Sequence, residues 1–164
     1  MSQTAAVTLR PEVPEDRPFL RELYLSTRDD EVGFRDMDPG ERTRLLEEQF
    51  ELREEQYRAA WPGAYWTIIT VAGKPAGRLC VAQMAAEMRL VDLALLPEYR
   101  SHGIGTTLLK SIQAEAMRTQ CPLRLHVAVV NAARAFYDRL GFKPVASNEA
   151  YTLLEWVPPA PPGS

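Results

Sequence analysis

Cysteine and histidine are scarce in this chain, with two of each among 164 residues. Cys80 and Cys121 form no metal-ligand spacing, so no metal is expected, and nothing like a Cys/His nucleophilic pair appears. They read instead as buried free thiols of a reducing compartment, which makes the cytoplasm the expected location. There is no basic excess. Nineteen Lys and Arg face 22 Asp and Glu, for a net charge of −3, which recommends neither nucleic acid nor an anionic membrane as partner. No apolar run approaches the roughly 18 residues a membrane span needs. Met1 to Arg10 also lacks the charged-then-apolar plan of a signal peptide. No internal repeat is visible. Two common phosphate loops are missing as well. No Gly-x-x-x-x-Gly-Lys-Ser/Thr string occurs, and a G-x-G-x-x-G fingerprint would need glycine where Leu108 stands.

What is present reads as one α/β domain. Apolar residues make up 46% and charged residues 25%, ordinary proportions for a globular chain of this length. Val7 to Arg10 is a candidate strand. Pro14, Glu15 and Asp16 open a helix whose apolar positions are Phe19, Leu20, Leu23 and Tyr24. Thr27 to Gly40 reads as a charged surface loop. A second helix begins at Asp38-Pro39-Gly40-Glu41 and runs to about Ala60, where Trp61-Pro62-Gly63 stops it. A hairpin follows, Tyr65 to Val71 and Ala76 to Met84 about Ala72-Gly73-Lys74-Pro75. The chain closes with strands near Lys143–Ser147 and Tyr151–Trp156. The Pro-rich stretch 158–164 offers no core and is expected to be disordered.

The most informative stretch is Arg100-Ser101-His102-Gly103-Ile104-Gly105, followed by Thr106. It comes after an apolar run, Leu90 to Leu96, that reads as a buried strand. A helical pattern follows, with Leu108, Leu109, Ile112 and Met117 on one buried face. A strand turning through two glycines into a helix gathers backbone N–H groups and the positive end of the helix dipole at one spot, which suits a phosphate. Gly103 and Gly105 allow close backbone approach, and Arg100 offers a charged fork. His102 would face cofactor or solvent.

Downstream, Leu123 to Val129 reads as a strand and leads into Asn131-Ala132-Ala133-Arg134-Ala135-Phe136-Tyr137-Asp138-Arg139-Leu140-Gly141-Phe142. Asn131 is a good helix N-cap, Gly141 suits the left-handed position that ends a helix, and Ala135 and Phe136 are expected to pack. These two strings, in this order, resemble the two signatures of the GNAT-type N-acetyltransferases, and the resemblance covers at least residues 64 to 156. It implies a mixed α/β fold of about seven strands in the order βααβββαβαββ, with helices on both faces. Two splayed central strands would hold acetyl-coenzyme A. It also implies one domain over residues 1–157, with acceptor-side helices at about 14–60 and the cofactor-binding core at about 64–142.

The resemblance further implies roles. Arg100, Ser101, His102, Gly103, Ile104, Gly105 and Thr106 would grip the coenzyme A pyrophosphate. The backbone of Leu93, Ala94 and Leu95 would pair with the pantetheine amides and polarise the thioester carbonyl. Asn131, Arg134 and Phe136 would add cofactor contacts. Tyr137 matches the residue that gives a proton to the departing thiolate, a plausible task for a phenol whose ordinary pKa is about 10. Asp92 interrupts an apolar strand where several relatives carry an acid near the amine. It is read either as the base or as the structural partner of Arg124 or His126 on the neighbouring strand. Glu87 is a second candidate for the base, His126 reads as a core histidine, and ordered water could serve instead of any base.

The acceptor is expected to be the primary amine of a small or amino-acid-like molecule, attacked directly in a ternary complex. Gln49, Arg53 and Tyr57, with Gln56, share a face of the second helix and are the candidate acceptor contacts, Arg53 offering a charge to a carboxylate. The alternative reading of that face is a solvated edge with pairs such as Glu54–Arg58. Asp29-Asp30-Glu31 could attract a cation, and Trp61, Tyr65 and Trp66 read as core. A protein N-terminus or lysine is the alternative acceptor, and a non-catalytic acyl-CoA-binding module is the rival of another class. Homodimers are common among such relatives, and the oligomeric state stays open.

Overall fold

The structure is a computed structural model that describes residues 6–28, 34, 36–128 and 133–160. Its strands are β1 (Val7–Pro11), β2 (Tyr65–Val71), β3 (Lys74–Gln83), β4 (Met88–Leu95), β5 (Leu123–Ala128), β6 (Lys143–Ser147) and β7 (Tyr151–Trp156). Its α-helices are α1 (Arg17–Arg28), α2 (Pro39–Ala60), α3 (Ile104–Thr119) and α4 (Arg134–Arg139). The strands join in one seven-stranded mixed sheet of order β1-β2-β3-β4-β5-β7-β6. The element order is the predicted one, and β2, β6, β7 and α2 have the predicted bounds.

Local chemistry accounts for the boundaries. Asp38 caps α2 by accepting from the N–H groups of Gly40 (3.1 Å) and Glu41 (3.2 Å), with Pro39 at the first helical position. Asp16 closes the short 3-10 turn before α1, taking the Val13 N–H at 2.8 Å and both Nη groups of Arg10. Ala72 (φ 51°) and Gly73 (φ 81°) are both left-handed, as a two-residue turn matched to the twist of a β-hairpin requires. Gly141, at φ 92°, ends the α4 segment as predicted.

The chain divides into two compact units. The first comprises the residues up to Cys80 together with Asp92–Ile104. Its core packs Leu20, Leu23 and Tyr24 of α1 with Phe50 of α2, Ile68 of β2 and Leu96 after β4. Burying each such side chain contributes roughly 1.5–3 kcal/mol before entropy is counted. The second unit comprises Val81–Val91 and the residues from Gly105 on. Leu109, Ile112 and Ala116 of α3, Leu123, Leu125 and Val127 of β5, Phe142 and Leu154 of β7 are buried there.

Four expectations are corrected. Met117 is 43% exposed, and Ala116 takes its place on the buried face of α3. Ala135 is exposed rather than packed. His126 is exposed, because β5 buries only its odd-numbered side chains Leu123, Leu125 and Val127. Tyr65 is 69% exposed and not core. Residues 158–160 carry no regular secondary structure. Asp29, Asp30, Glu31, Asn131 and residues 161–164 lie outside the described residues.

Candidate active site

β4 keeps β3 as a neighbour, and its parallel pairing with β5 consists of Met88↔Leu123 and Arg89↔Arg124. Past Arg89, among the described residues, β4 therefore has a hydrogen-bonded neighbour only on the β3 side. The Leu96 N–H reaches the Ala76 carbonyl on that side at 2.8 Å. Strand alternation then directs the N–H and C=O of Leu95, and those of Leu93 two residues earlier, to the unpaired edge. The Leu95 carbonyl is met there by the Arg100 Nε at 2.9 Å.

The chain does not turn straight from strand to helix as predicted. A 3-10 turn, Pro97–Tyr99, intervenes, and Arg100–Gly103 then carries the chain into α3. Ser101 (φ 63°) and Gly103 (φ 81°) both adopt the left-handed region. A Cβ at Gly103 would meet nothing within 4 Å, so its glycine is required by backbone conformation and not by packing within the protein. Arg100, Ser101 and His102 are exposed. The first N–H groups of α3, at Ile104, Gly105, Thr106 and Thr107, have no intrahelical partners by the nature of an α-helix. Donors at a helix start beside open space at Gly103 suit a phosphate group.

In the second unit Gly105 lies against Phe136, whose Cζ is 3.5 Å from where a Cβ would stand. Tyr137 is buried, its ring centroid 5.1 Å from that of Phe136 and 5.7 Å from that of Phe142. Arg134 pairs with Asp138 one turn on (Nε to Oδ1, 3.1 Å). α4 begins at Arg134 with Ala133 at the N-cap, later than the predicted start at Asn131.

Asp92 has different partners from those predicted. Its Oδ1 accepts from the Arg53 Nη2 at 2.9 Å and its Oδ2 from the Arg78 Nε at 3.0 Å. Arg124 pairs instead with Glu155 (2.7 Å) and Glu87 (3.7 Å), and His126 meets Arg89 (Nδ1 to Nη1, 3.0 Å). Desolvation, and then the Arg89 charge, hold the His126 imidazole below its usual pKa.

Arg78 is the hub of a larger set. Its two Nη groups grip Glu54 in a bidentate pair, 2.6 Å each, and Nη1 lies 3.5 Å from Glu12. Arg58 pairs with Glu12 and lies 3.8 Å from Glu54, and the guanidiniums of Arg58 and Arg78 stand 4.2 and 5.1 Å from the Trp66 ring centroid. Desolvation works to lower the pKa of Arg53 and Arg78. Together the Asp92 charge and Tyr57 outweigh it at Arg53, and the Glu54 hydrogen bonds with the charges of Asp92, Glu54 and Glu12 outweigh it at Arg78, so both stay charged. The predicted Glu54–Arg58 pair exists, but Glu54 is 1% exposed, so it is no solvated edge.

The acceptor candidates fall together on α1 and α2. The Arg53 guanidinium lies 5.2 Å from the Tyr24 ring and 4.8 Å from the Tyr57 ring. Gln49 Oε1 accepts from the Arg28 Nη1 at 2.8 Å, and Arg28 also donates to the Tyr24 hydroxyl. The sequence reading missed Glu12 and Arg78, and it gave Glu54 only a solvated pairing with Arg58. One signal was available: Arg78 is a lone cation in the apolar strand Ala76 to Ala82, which implies a buried counter-ion. Among the described residues no cluster of His, Cys, Asp and Glu could hold a metal ion, and no helix is long and apolar enough to cross a membrane.

Comparison with known proteins bears on the fold and the family. Solved structures share the fold at low identity. The paia N-acetyltransferase from Thermoplasma acidophilum, determined in complex with coenzyme A, superposes with a TM-score of 0.70 at 21% identity, covering 93% of this chain and 99% of that one. An acetyltransferase from Thermus thermophilus gives 0.68 at 18%, covering 94% and 99%. The histone acetyltransferase HPA2 and related acetyltransferase from Corynebacterium glutamicum gives 0.64 at 22%, covering 96% and 99%. No curated protein matches the sequence. The profile of the acetyltransferase (GNAT) family matches residues 20–142, most of the chain, and the protein therefore belongs to the acetyltransferase (GNAT) family, acyltransferases that use acetyl-coenzyme A.

Proposed function

We propose that this acetyltransferase moves the acetyl group of acetyl-coenzyme A to the primary amine of a small or amino-acid-like acceptor, directly and without a covalent enzyme intermediate. One observation carries the reading: among the described residues β4 has no ladder partner past Arg89 on its β5 side, and its end leads into the left-handed Ser101 and Gly103 at the start of α3. When bound, the donor supplies a thioester carbonyl, where a C–N bond forms as the C–S bond breaks. The loop N–H groups and Arg100 hold pyrophosphate oxygens, and the Leu93–Leu95 edge holds the amide-rich arm. The Tyr137 Oη gives its proton to the departing sulfur.

Asp92 acts as a counter-ion rather than a base, since both of its oxygens accept from guanidiniums. The amine proton then leaves through water. Arg53, set between Tyr24 and Tyr57, and Gln49 support a compact acceptor with an aromatic or carboxylate portion. The two free thiols, one of them buried, suit the cytoplasm.

Calorimetric titration with coenzyme A, followed by a thiol-release assay with acetyl-coenzyme A across an amine library, tests the reading. Gly103→Asp places a carboxylate and a strained φ in the loop and should abolish binding; unchanged affinity would refute the loop assignment. Binding without thiol release for any amine would replace transfer by the non-catalytic binding module.

A further inference from the structure

Asp92 divides its charge between two guanidiniums of unlike standing. Arg78 has no capacity left: its Nε goes to Asp92, both Nη groups go to Glu54, and its side chain is 2% exposed. Arg53 is the one that reaches water, with a side chain 27% exposed. A guanidinium has five N–H donors and no acceptor. Asp92 takes one of Arg53's at 2.9 Å, and the Tyr57 hydroxyl can take a second. The others have no partner among the described residues and are not buried away from water.

Gln49 stands one turn earlier on α2, half-buried and on the same helix face. Arg28 decides which way its amide points. An arginine only donates, so the Gln49 atom 2.8 Å from the Arg28 Nη1 must be the oxygen. The amide nitrogen is thereby turned to the other side of the group, and it too has no partner among the described residues. The neighbouring acceptors are all engaged. Both Asp92 oxygens accept from guanidiniums, and the Gln49 oxygen and the Tyr24 hydroxyl accept from Arg28. What remains along this face is a row of N–H donors. A cationic group finds no open carboxylate there, whereas a carboxylate meets a charged fork and an amide together. Because Asp92 already shares the Arg53 charge, a single negative charge suits the place better than a dianion.

We propose that the acceptor amine carries a carboxylate, bound jointly by the Arg53 guanidinium and the Gln49 amide nitrogen. The inference rests on the proposed transfer, with α1 and α2 on the acceptor side, and narrows its acceptor to amino acids and their close relatives. The rings of Tyr24 and Tyr57, 5.2 and 4.8 Å from the Arg53 guanidinium, hold the fork in place.

The test is the thiol-release assay with acetyl-coenzyme A on the common amino acids, each set beside its carboxamide. Without the carboxylate charge the carboxamide's amine is less basic, so more of it is neutral near pH 7 and chemistry alone favours it. Preference for the acid must therefore come from the protein. The best amino acid should exceed its carboxamide in kcat/KM by about 10–10²-fold, the range of a charge-assisted hydrogen bond. Gln49→Glu keeps an oxygen toward Arg28 and replaces the donor by a second negative charge. The preference should then disappear, mainly through a raised KM for the acid. Arg53→Lys keeps a charge beside Asp92 but not the fork, and should reduce the preference as well. If Arg53→Lys does not fold, Gln49→Glu decides alone. Arg118→Gln, in the open on α3, is the control that leaves the preference as it is. Equal use of acid and carboxamide, release only with amines that lack a carboxylate, or an unaltered preference in Gln49→Glu would overturn the inference and leave acetyl transfer standing. Absence of release with every amine would instead defeat the transfer itself, and the inference with it.

Discussion

Replacing Glu54 by Gln removes one charge from the buried set and alters little else in shape. Glu54 is 1% exposed and Arg78 2%, and the two are joined by a bidentate pair of 2.6 Å contacts. In the wild type three carboxylates, Glu12, Glu54 and Asp92, face three guanidiniums, Arg53, Arg58 and Arg78. Glu54→Gln leaves that set one positive charge in excess with little water to solvate it. Breaking such a pair from one side costs about 3–5 kcal/mol, and the low end applies here because Asp92 and Glu12 still touch Arg78. For a chain of this size that low end corresponds to a melting-temperature loss of roughly 6–12 °C. Thermal unfolding followed by circular dichroism, with urea titration as a second measure, reads it. Glu115→Gln is the comparison, because Glu115 pairs with Arg118 in the open, and it should leave the melting temperature unchanged. Glu54→Leu combined with Arg78→Met should recover most of the loss, since an apolar pair removes both charges together. A loss from Glu54→Gln no larger than that from Glu115→Gln would show that the network contributes nothing to stability.

Tyr137→Phe should lower kcat about 10²-fold or more while coenzyme A affinity holds, and equal turnover would remove the proton-donor role. Asp92→Asn should lower the melting temperature yet leave the acid limb of the pH–rate profile of the folded protein in place; loss of that limb would restore Asp92 as the base. Asp16 gives a pH test. Hydrogen bonds from Arg10 hold its carboxyl below the ordinary 3.8, so its contribution is complete above that value and disappears as pH falls through the lowered one. Asp16→Asn should therefore cost about 1 kcal/mol at neutral pH, typical of a lost cap, and nothing in acid, as urea unfolding at several pH values will show. Burial pushes the Cys80 thiol up to about 12, so thiol reagents at pH 8 should label Cys121 and reach Cys80 only on unfolding.

The loop to which the proposed function gives the donor stands out in the sequence because the features that mark it are local. Anion binding at a helix start needs adjacent residues, and Arg100 to Thr106 are contiguous, so composition and order alone make the loop a candidate. Even there the left-handed conformation of Ser101 was hidden, since such backbone at a serine has no sequence signal comparable to that of glycine. Helix α2 and strands β2, β6 and β7 were equally readable, because caps, turns and alternating patterns act within a few residues.

The partners of Asp92 were not readable. Arg78 is 14 positions away and Arg53 is 39, on a different strand and on a helix, and Glu54 meets Arg78 across 24. Every carboxylate can pair with any of the chain's many guanidiniums until the backbone path brings some of them within about 3 Å, the reach of a charged hydrogen bond. Gly77 belongs to the same class. Its sequence context is an apolar strand interrupted by Arg78, and only the approach of the Ala94 carbonyl oxygen, 2.1 Å from where a Cβ would stand, calls for glycine at that place on β3. The sequence by itself determined the family, because the two strings that carry it are local objects. Tertiary structure alone decided how the acid, the cations and the strand backbone beside it are arranged, because those distances depend on packing among elements far apart in the chain.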